Sequence, residues 1–170
     1  MPDMTPKRID KIAACLSSEK DDWGTPQWLF DALDQEFHFD LDPCSSDENH
    51  KCQDYYTEKD DGLTKDWSGR IVFTNPPYSR GGLAGKWCAK ARHEAETNNA
   101  LVVCLVKAST GSKWFRSACE GAEVRFITGR LKFEGGEAAG SNAAPFDSAL
   151  IIYRPGLPED DRVGRLQWHG

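Results

Sequence analysis

The strongest constraint on the fold is one apolar run, Ala100-Leu-Val-Val-Cys-Leu-Val106, in a chain of 170 residues. It has a strand's length and is far too short to cross a bilayer. It also lacks the polar alternation of a half-solvated strand, so both of its faces must be covered. The neighbouring sequence predicts what covers them. Ile71-Val-Phe-Thr74 reads as a second strand, stopped by Pro76-Pro77, which remove two backbone donors. Leu83, Trp87, Ala91 and Ala95 then fall at helical spacing after Gly81-Gly82, and a short helix is expected around Lys113 to Cys119.

Upstream, Thr25-Pro26 has the form of a helix start, with Thr as the cap and Pro in the first turn, followed by Leu29, Phe30, Leu33 and Phe37. Phe37, Phe39 and Leu41 alternate, which predicts a short strand running into Asp42-Pro43. Tyr55-Tyr56, Val124 to Ile127 and Ala149 to Tyr153 suggest further strands, and Glu134 to Pro145 reads as a mobile Gly/Ala-rich loop. Strands alternating with helices make an α/β fold, three-layered around a mostly parallel central sheet. We expect a loosely ordered arm over residues 1–20, one domain over 21–154 and a polar tail over 155–170. In such sheets ligands sit beyond the carboxyl ends of the strands. That rule puts Asp42-Pro43 and Asn75-Pro76-Pro77-Tyr78 at one rim.

No apolar stretch resembles a signal peptide, so a cytoplasmic protein without a membrane partner is expected. Six cysteines without CxxC spacing read as reduced thiols, with Cys88 and Cys104 in the core. Cys44, His50 and Cys52 are a metal-like cluster without a fourth ligand at usual spacing, so no metal is expected. The net charge of −6 is unevenly spread. Residues 1–63 carry 6 Lys/Arg and 16 Asp/Glu, whereas residues 64–132 carry 12 and 5. Local potential governs contact with phosphates, so the central block suits either a nucleic-acid surface or an ordinary solvated one.

Asn75-Pro76-Pro77-Tyr78 carries the most chemical information. An exocyclic amine on an aromatic base is a poor nucleophile because its lone pair is delocalised into the ring. The Asn75 amide oxygen and the Pro76 carbonyl can accept the two amine hydrogens and localise that lone pair toward a methyl donor. Consecutive prolines stiffen the loop, and Tyr78 offers a ring on which a base stacks. A base inside duplex DNA must first be flipped out to reach such a pocket.

At these residues the chain resembles a known family. Asn75-Pro76-Pro77-Tyr78 with Ser79 is similar to the catalytic motif of amino-group methyltransferases. Trp23-Gly24-Thr25-Pro26, Asp40-Leu41-Asp42-Pro43-Cys44, Asp61-Gly62-Leu63 with Trp67, and Gly129-Arg130-Leu131-Lys132-Phe133 resemble the small phage-type DNA N6-adenine methyltransferases (Dam-like) over about residues 22 to 154. The resemblance implies a Rossmann-like class I methyltransferase fold, S-adenosylmethionine as cofactor and DNA as partner. It implies a catalytic role for Asn75, Pro76, Pro77 and Tyr78. It implies cofactor contacts from Thr25, Pro26, Asp42, Pro43, Asp61 and Leu63, with Trp23 as a shield or a core residue. The family's glycine-rich turn after the first strand is replaced here by Cys44-Ser45-Ser46. The acidic residue usual at the end of the second strand is not obvious, Asp54 being a candidate. No separate target-recognition domain fits, so sequence choice falls to loops, with Arg80, Lys107, Arg130 and residues 133–147 as DNA-binding candidates.

The expected activity is methyl transfer to adenine N6 in DNA. The same motif also serves cytosine N4, an RNA base or a protein glutamine amide. A catalytically silent nucleic-acid-binding module of the same fold, or a small zinc module, are the readings of a different class.

Overall fold

A computed structural model describes residues 23–78, 82–135 and 143–156. The expected arm over 1–20, most of the tail, Arg80 and the middle of the 133–147 loop lie outside the described residues.

The apolar run becomes the centre of a six-stranded sheet. In chain order the elements are α1 (Gln27–Phe37), β1 (Leu41–Ser45), β2 (Asp54–Thr57), a 3-10 turn (Gly62–Thr64), β3 (Ile71–Thr74), α2 (Leu83–Thr97), β4 (Leu101–Lys107), α3 (Lys113–Cys119), β5 (Glu123–Phe126) and β6 (Ser148–Tyr153). The strands lie in the order β2-β1-β3-β4-β6-β5. β1 is parallel to both β2 and β3, and β3 is parallel to β4. β6 runs antiparallel to β4 and β5 on either side of it.

Period-two alternation divides the core into two layers. Val72, Val102, Cys104, Val106, Ala149 and Ile151 face one side, where they meet Trp87, Cys88, Ala91 and Ala95 of α2 and Phe115 and Ala118 of α3. Phe73, Val103, Leu105, Leu150 and Ile152 face the other, against Leu29, Phe30, Leu33 and Phe37 of α1. Helices thus cover both faces of the sheet, and Cys88 and Cys104 are core residues as expected.

Two local readings change. The alternation at Phe37, Phe39 and Leu41 is not a strand, because Phe37 ends α1. His38 then caps the helix in the left-handed region (φ 59°) with its N–H donating to the Asp34 carbonyl, while the Phe39 N–H donates to the Asp34 carboxylate. Asp42 and Pro43 consequently lie inside β1 rather than after it. Thr25 does not cap α1 either. Pro26 holds the cap position, and the Gln27 N–H donates to the Glu134 carboxylate at 2.9 Å, a capping group 107 residues away.

The charge blocks are partly joined to each other in space. Arg70 binds Asp40 (3.0 Å) and Asp54 (2.7 Å), and Arg125 forms a two-pronged pair with Glu36 (2.7 and 2.8 Å). Lys90 pairs with Glu94 within α2. These cations of the central block are therefore engaged with carboxylates rather than free to face phosphate.

Candidate active site

In a parallel sheet, the crevice opens where successive crossovers leave a strand in opposite directions. Here that point lies between β1 and β3, since β1 continues to β2 on one side while β3 and β4 extend on the other. β1 pairs with β3 only at Leu41–Val72, and its register on β2 slips between Asp42 and Ser45. Pro43, which has no N–H to give a ladder, sits in that bulge. A cavity of about 460 Å³ fills the opening, walled by the ends of β1, β2 and β3, the 3-10 turn, and Trp23 and Thr25 ahead of α1. That volume lies in the usual range for a small-molecule site.

Asp42 is the buried charge of the cavity, 3% exposed. One carboxylate oxygen accepts the Lys51 N–H at 3.0 Å; the other makes no well-formed hydrogen bond among the described residues, although the Cys44 N–H acts on the carboxylate as well. Burial pushes its pKa up to about 6, against the Lys51 and Cys44 N–H groups, which pull it down. A buried acceptor without a donor is costly unless a ligand supplies one. Across the opening, Glu58 directly follows β2, and Asp61 and Leu63 reach the wall from the 3-10 turn. The turn lies hard against β1, because a Cβ on Gly62 would stand 2.1 Å from the Pro43 carbonyl oxygen. The Gly62 carbonyl in turn accepts from the buried Trp67 indole at 3.1 Å.

Asn75 follows β3 and lines the same cavity. Its amide nitrogen donates to the Trp23 carbonyl (2.6 Å) and to the Thr25 hydroxyl (3.0 Å). Its amide oxygen accepts the Tyr78 hydroxyl at 2.5 Å. Burial holds the Tyr78 phenol well above its ordinary pKa, so this group is a donor. The Tyr78 ring meets Phe133 and Phe146 edge-on at 6.1 and 5.3 Å between centroids. Trp23 packs edge-on against the same two phenylalanines at 5.5 and 5.4 Å. The Lys107 ammonium lies 5.4 Å from the Phe146 ring centroid.

Of the residues expected from sequence, Trp23, Thr25, Asp42, Pro43, Asp61, Leu63, Asn75 and Pro77 converge on the cavity. Pro26, Pro76 and Tyr78 are not part of the cavity lining: Pro26 is the cap of α1, Pro76 is buried, and Tyr78 bonds to Asn75. Asp54 is excluded as the acidic residue at the end of the second strand. It begins β2, at the opposite rim, and is bound to Arg70. Glu58 occupies the place sought, and sequence reading missed it because β2 is half-exposed and carries no apolar pattern. Lys51 was also missed. Besides its backbone bond to Asp42, its ammonium donates to the Gln27 side chain at 2.9 Å. Cys44, His50 and Cys52 do not converge as ligands. His50 Nδ1 bonds the Cys52 carbonyl while its ring stacks on Tyr55, and no group of three metal-binding side chains is gathered among the described residues. Lys107 ends β4, and Arg130 is exposed, 3.7 Å from Asp147. Arg80 lies outside the described residues. No helix among the described residues is long and apolar enough to cross a membrane.

A statistical model of one family, DNA N-6-adenine-methyltransferase (Dam), matches residues 13–162. The chain belongs to this family. Relatives within it agree. The DNA N-6-adenine-methyltransferase of Haemophilus phage HP1 (strain HP1c1) is 34% identical over 148 residues, which cover 83% of each chain. The enzyme of the same name from Escherichia phage T1 is 32% identical over 134 residues, 76% of this chain and 55% of that one. Membership in the Dam family makes adenine N6 in DNA the acceptor, among the amino groups that Asn75-Pro76-Pro77-Tyr78 alone leaves open. It also sets aside the silent binding module and the zinc module, since the family is one of enzymes named for methyl transfer.

Proposed function

We propose that the protein transfers a methyl group from S-adenosylmethionine to N6 of an adenine flipped out of DNA, with Asn75 as the acceptor that activates the amine. The observation that carries this reading is the orientation of the Asn75 amide at the cavity wall. Both hydrogens on its nitrogen are taken by Trp23 and Thr25, leaving the oxygen as an acceptor.

The donor set of the cavity fits the cofactor. Asp42 offers a buried carboxylate oxygen with no well-formed hydrogen bond among the described residues, matched to an ammonium or ribose hydroxyl. Glu58 and Asp61 add carboxylates on the facing wall, and Leu63 and Trp87 add apolar surface for a purine. S-adenosylmethionine, when bound, supplies an electrophilic methyl group.

The remaining work falls to the chain's own residues. Asn75 Oδ1 and the Pro76 carbonyl would accept the two N6 hydrogens, one of which is released to solvent as a proton once nitrogen carries the methyl group and the donor sulfur has kept the electron pair of the broken bond. Accepting those hydrogens polarises the N–H bonds toward nitrogen and localises the lone pair there, and the Asn75 amide is held in its orientation before the base arrives. The Tyr78 hydroxyl occupies Asn75 Oδ1 in the resting site and must yield that place to the incoming amine. Trp23, Phe133 and Phe146 form an apolar wall beside it that excludes water.

Asn75→Ala tests the reading. Removing one preorganised polar partner costs about 2.7–4 kcal/mol, so methylation of DNA is expected to fall about 100- to 1,000-fold. Calorimetric binding of S-adenosylmethionine should stay close to that of the parent protein, and Asn75→Asp, which keeps an acceptor oxygen, should retain part of the activity. Parent-like methylation by Asn75→Ala would refute the acceptor role.

A further inference from the structure

We propose that Thr25 is a positioning residue for methyl transfer, acting on the Asn75 amide. Together with the Trp23 carbonyl, its hydroxyl locks the amide so that oxygen rather than nitrogen is presented to the target amine. The inference rests on the acceptor role given to Asn75 above.

An asparagine amide has two faces of opposite hydrogen-bonding character, and a half-turn about its last side-chain bond exchanges them. At this position the exchange would replace an acceptor by a donor and so repel an amine hydrogen. Two groups oppose it. The Trp23 carbonyl lies 2.6 Å from Nδ2 and can only accept, so a flipped amide would set two oxygens against each other. The Thr25 hydroxyl takes the second amide hydrogen at 3.0 Å, and with both hydrogens engaged the amide plane cannot swing away from the Trp23 carbonyl.

Thr25 can serve this purpose because it is itself immobilised. It is 3% exposed. The preceding Gly24 exchanges two backbone hydrogen bonds with Glu134, at 2.6 and 2.7 Å. A Cβ on Gly24 would stand 2.6 Å from the Glu134 carbonyl oxygen, so only glycine permits that approach. On the other side, the Pro26 carbonyl accepts the Leu29 and Phe30 N–H groups of α1. The hydroxyl is therefore held by a strand bridge before it and a helix start after it. The Trp23 carbonyl belongs to the same braced segment, so one short stretch supplies both restraints. Being fixed in advance, they are unchanged when the base arrives, which is the condition for acting on the rate.

The experiment compares Thr25→Val with Thr25→Ser. Valine keeps the shape and removes the acceptor. Under saturating S-adenosylmethionine and DNA, kcat is expected to fall about 10- to 100-fold, the usual penalty for a loosened catalytic group. The cofactor Kd by calorimetry and the DNA KM should change by less than about threefold, because valine removes the acceptor for Asn75 Nδ2 while keeping the apolar surface that Thr25 gives the cavity wall. Serine restores the hydroxyl and should recover kcat to within about threefold of the parent. An independent reading needs no variant. In the wild-type protein both Asn75 Nδ2 hydrogens should exchange with solvent markedly more slowly than those of exposed asparagines, by side-chain amide NMR.

An unchanged kcat in Thr25→Val would overturn the inference, as would a defect confined to cofactor affinity. Free exchange of the Asn75 amide hydrogens would do so even if the valine variant did not fold. Asn75→Ala measured alongside separates the two levels of the argument. Loss of activity in Asn75→Ala with an unaffected Thr25→Val removes only the role of Thr25, whereas an active Asn75→Ala removes the acceptor reading and this inference together.

Discussion

Replacing Asp42 with asparagine should make the cofactor-free protein more stable at neutral pH while disabling its cofactor site. The carboxyl is buried, with one oxygen on the Lys51 N–H and the other without a well-formed hydrogen bond among the described residues. Its pKa rises from 3.8 to about 6 on folding. A rise of that size corresponds to about 3 kcal/mol acting against the folded state once the group is ionised in both states. Because the folded pKa is the higher one, the folded protein binds this proton more tightly. Its contribution is therefore intact below pH 3.8 and is lost as pH rises through about 6. Asparagine keeps an acceptor for the Lys51 N–H and never ionises. Burying its amide hydrogens carries its own cost of about 1–3 kcal/mol, but that cost does not depend on pH.

Chemical denaturation of parent and Asp42→Asn at pH 4.5 and 7.5 isolates the effect. The unfolded carboxyl is already largely ionised at the lower pH, so about 2 of the 3 kcal/mol should appear as a pH-dependent difference between the two proteins. Calorimetry at pH 7.5 should show the variant binding S-adenosylmethionine at least about 100-fold more weakly, the scale expected for losing a buried charge-assisted contact. A stability difference that is the same at both pH values would refute the idea that burial of the Asp42 carboxylate opposes folding at neutral pH. Parent-like cofactor affinity would refute its role as a ligand.

Tyr78→Phe should keep methylation activity within about threefold of the parent, since it retains the ring and releases the Asn75 oxygen, whereas Tyr78→Ala removes the ring packed against Phe133 and Phe146 and should lose most activity. Equal failure of both in a DNA methylation assay would show that the hydroxyl is needed. Gly62→Ala should destabilise the fold by about 1–3 kcal/mol or more and weaken cofactor binding, because the new methyl meets the Pro43 carbonyl. Gly111→Ala, where a Cβ meets nothing within 4 Å, is the control in thermal melts. Removing charge at Arg80, Lys107 and Arg130 together should lower the slope of log affinity for DNA against log salt by about 2–3. An unchanged slope would move the DNA face elsewhere.

The fold was readable wherever burial imposes a period. β4 and β6 are buried along both faces, and α2 and α3 follow helical spacing, so their boundaries match the pattern closely. The start of β1 was misread because Phe37 satisfies both periods, its last place on the α1 stripe and a first place in an alternation. The decision rests on Asp34, which ties down both His38 and Phe39 through hydrogen bonds that hydrophobicity does not encode. β2 shows the complementary failure. It is an edge strand with only half-buried residues, so no apolar signal marks its end, and Glu58 went unnoticed. Thr25 and Asn75 were each singled out by sequence, but not their bond across fifty positions. Pairings at that range depend on the sheet order, which residue patterns alone do not fix.

Those long-range pairings explain why the segment ahead of α1 belongs to the site at all. Trp23 and Thr25 line the cavity and also hold the Asn75 amide. Gly24 bridges to Glu134, whose carboxylate receives the first amide of α1 and lies 3.4 Å from the Lys51 ammonium. Lys51 returns to Asp42 through its backbone N–H. Glu134 also adjoins Phe133, which packs against both Trp23 and Tyr78. The bonds thus close a circuit from the buried carboxylate, through the start of the 133–147 loop, to the amide at the end of β3. Neither the cavity nor the Asn75 amide can be displaced without straining the other. A single small domain can in this way hold a cofactor and orient an acceptor group with the same few side chains.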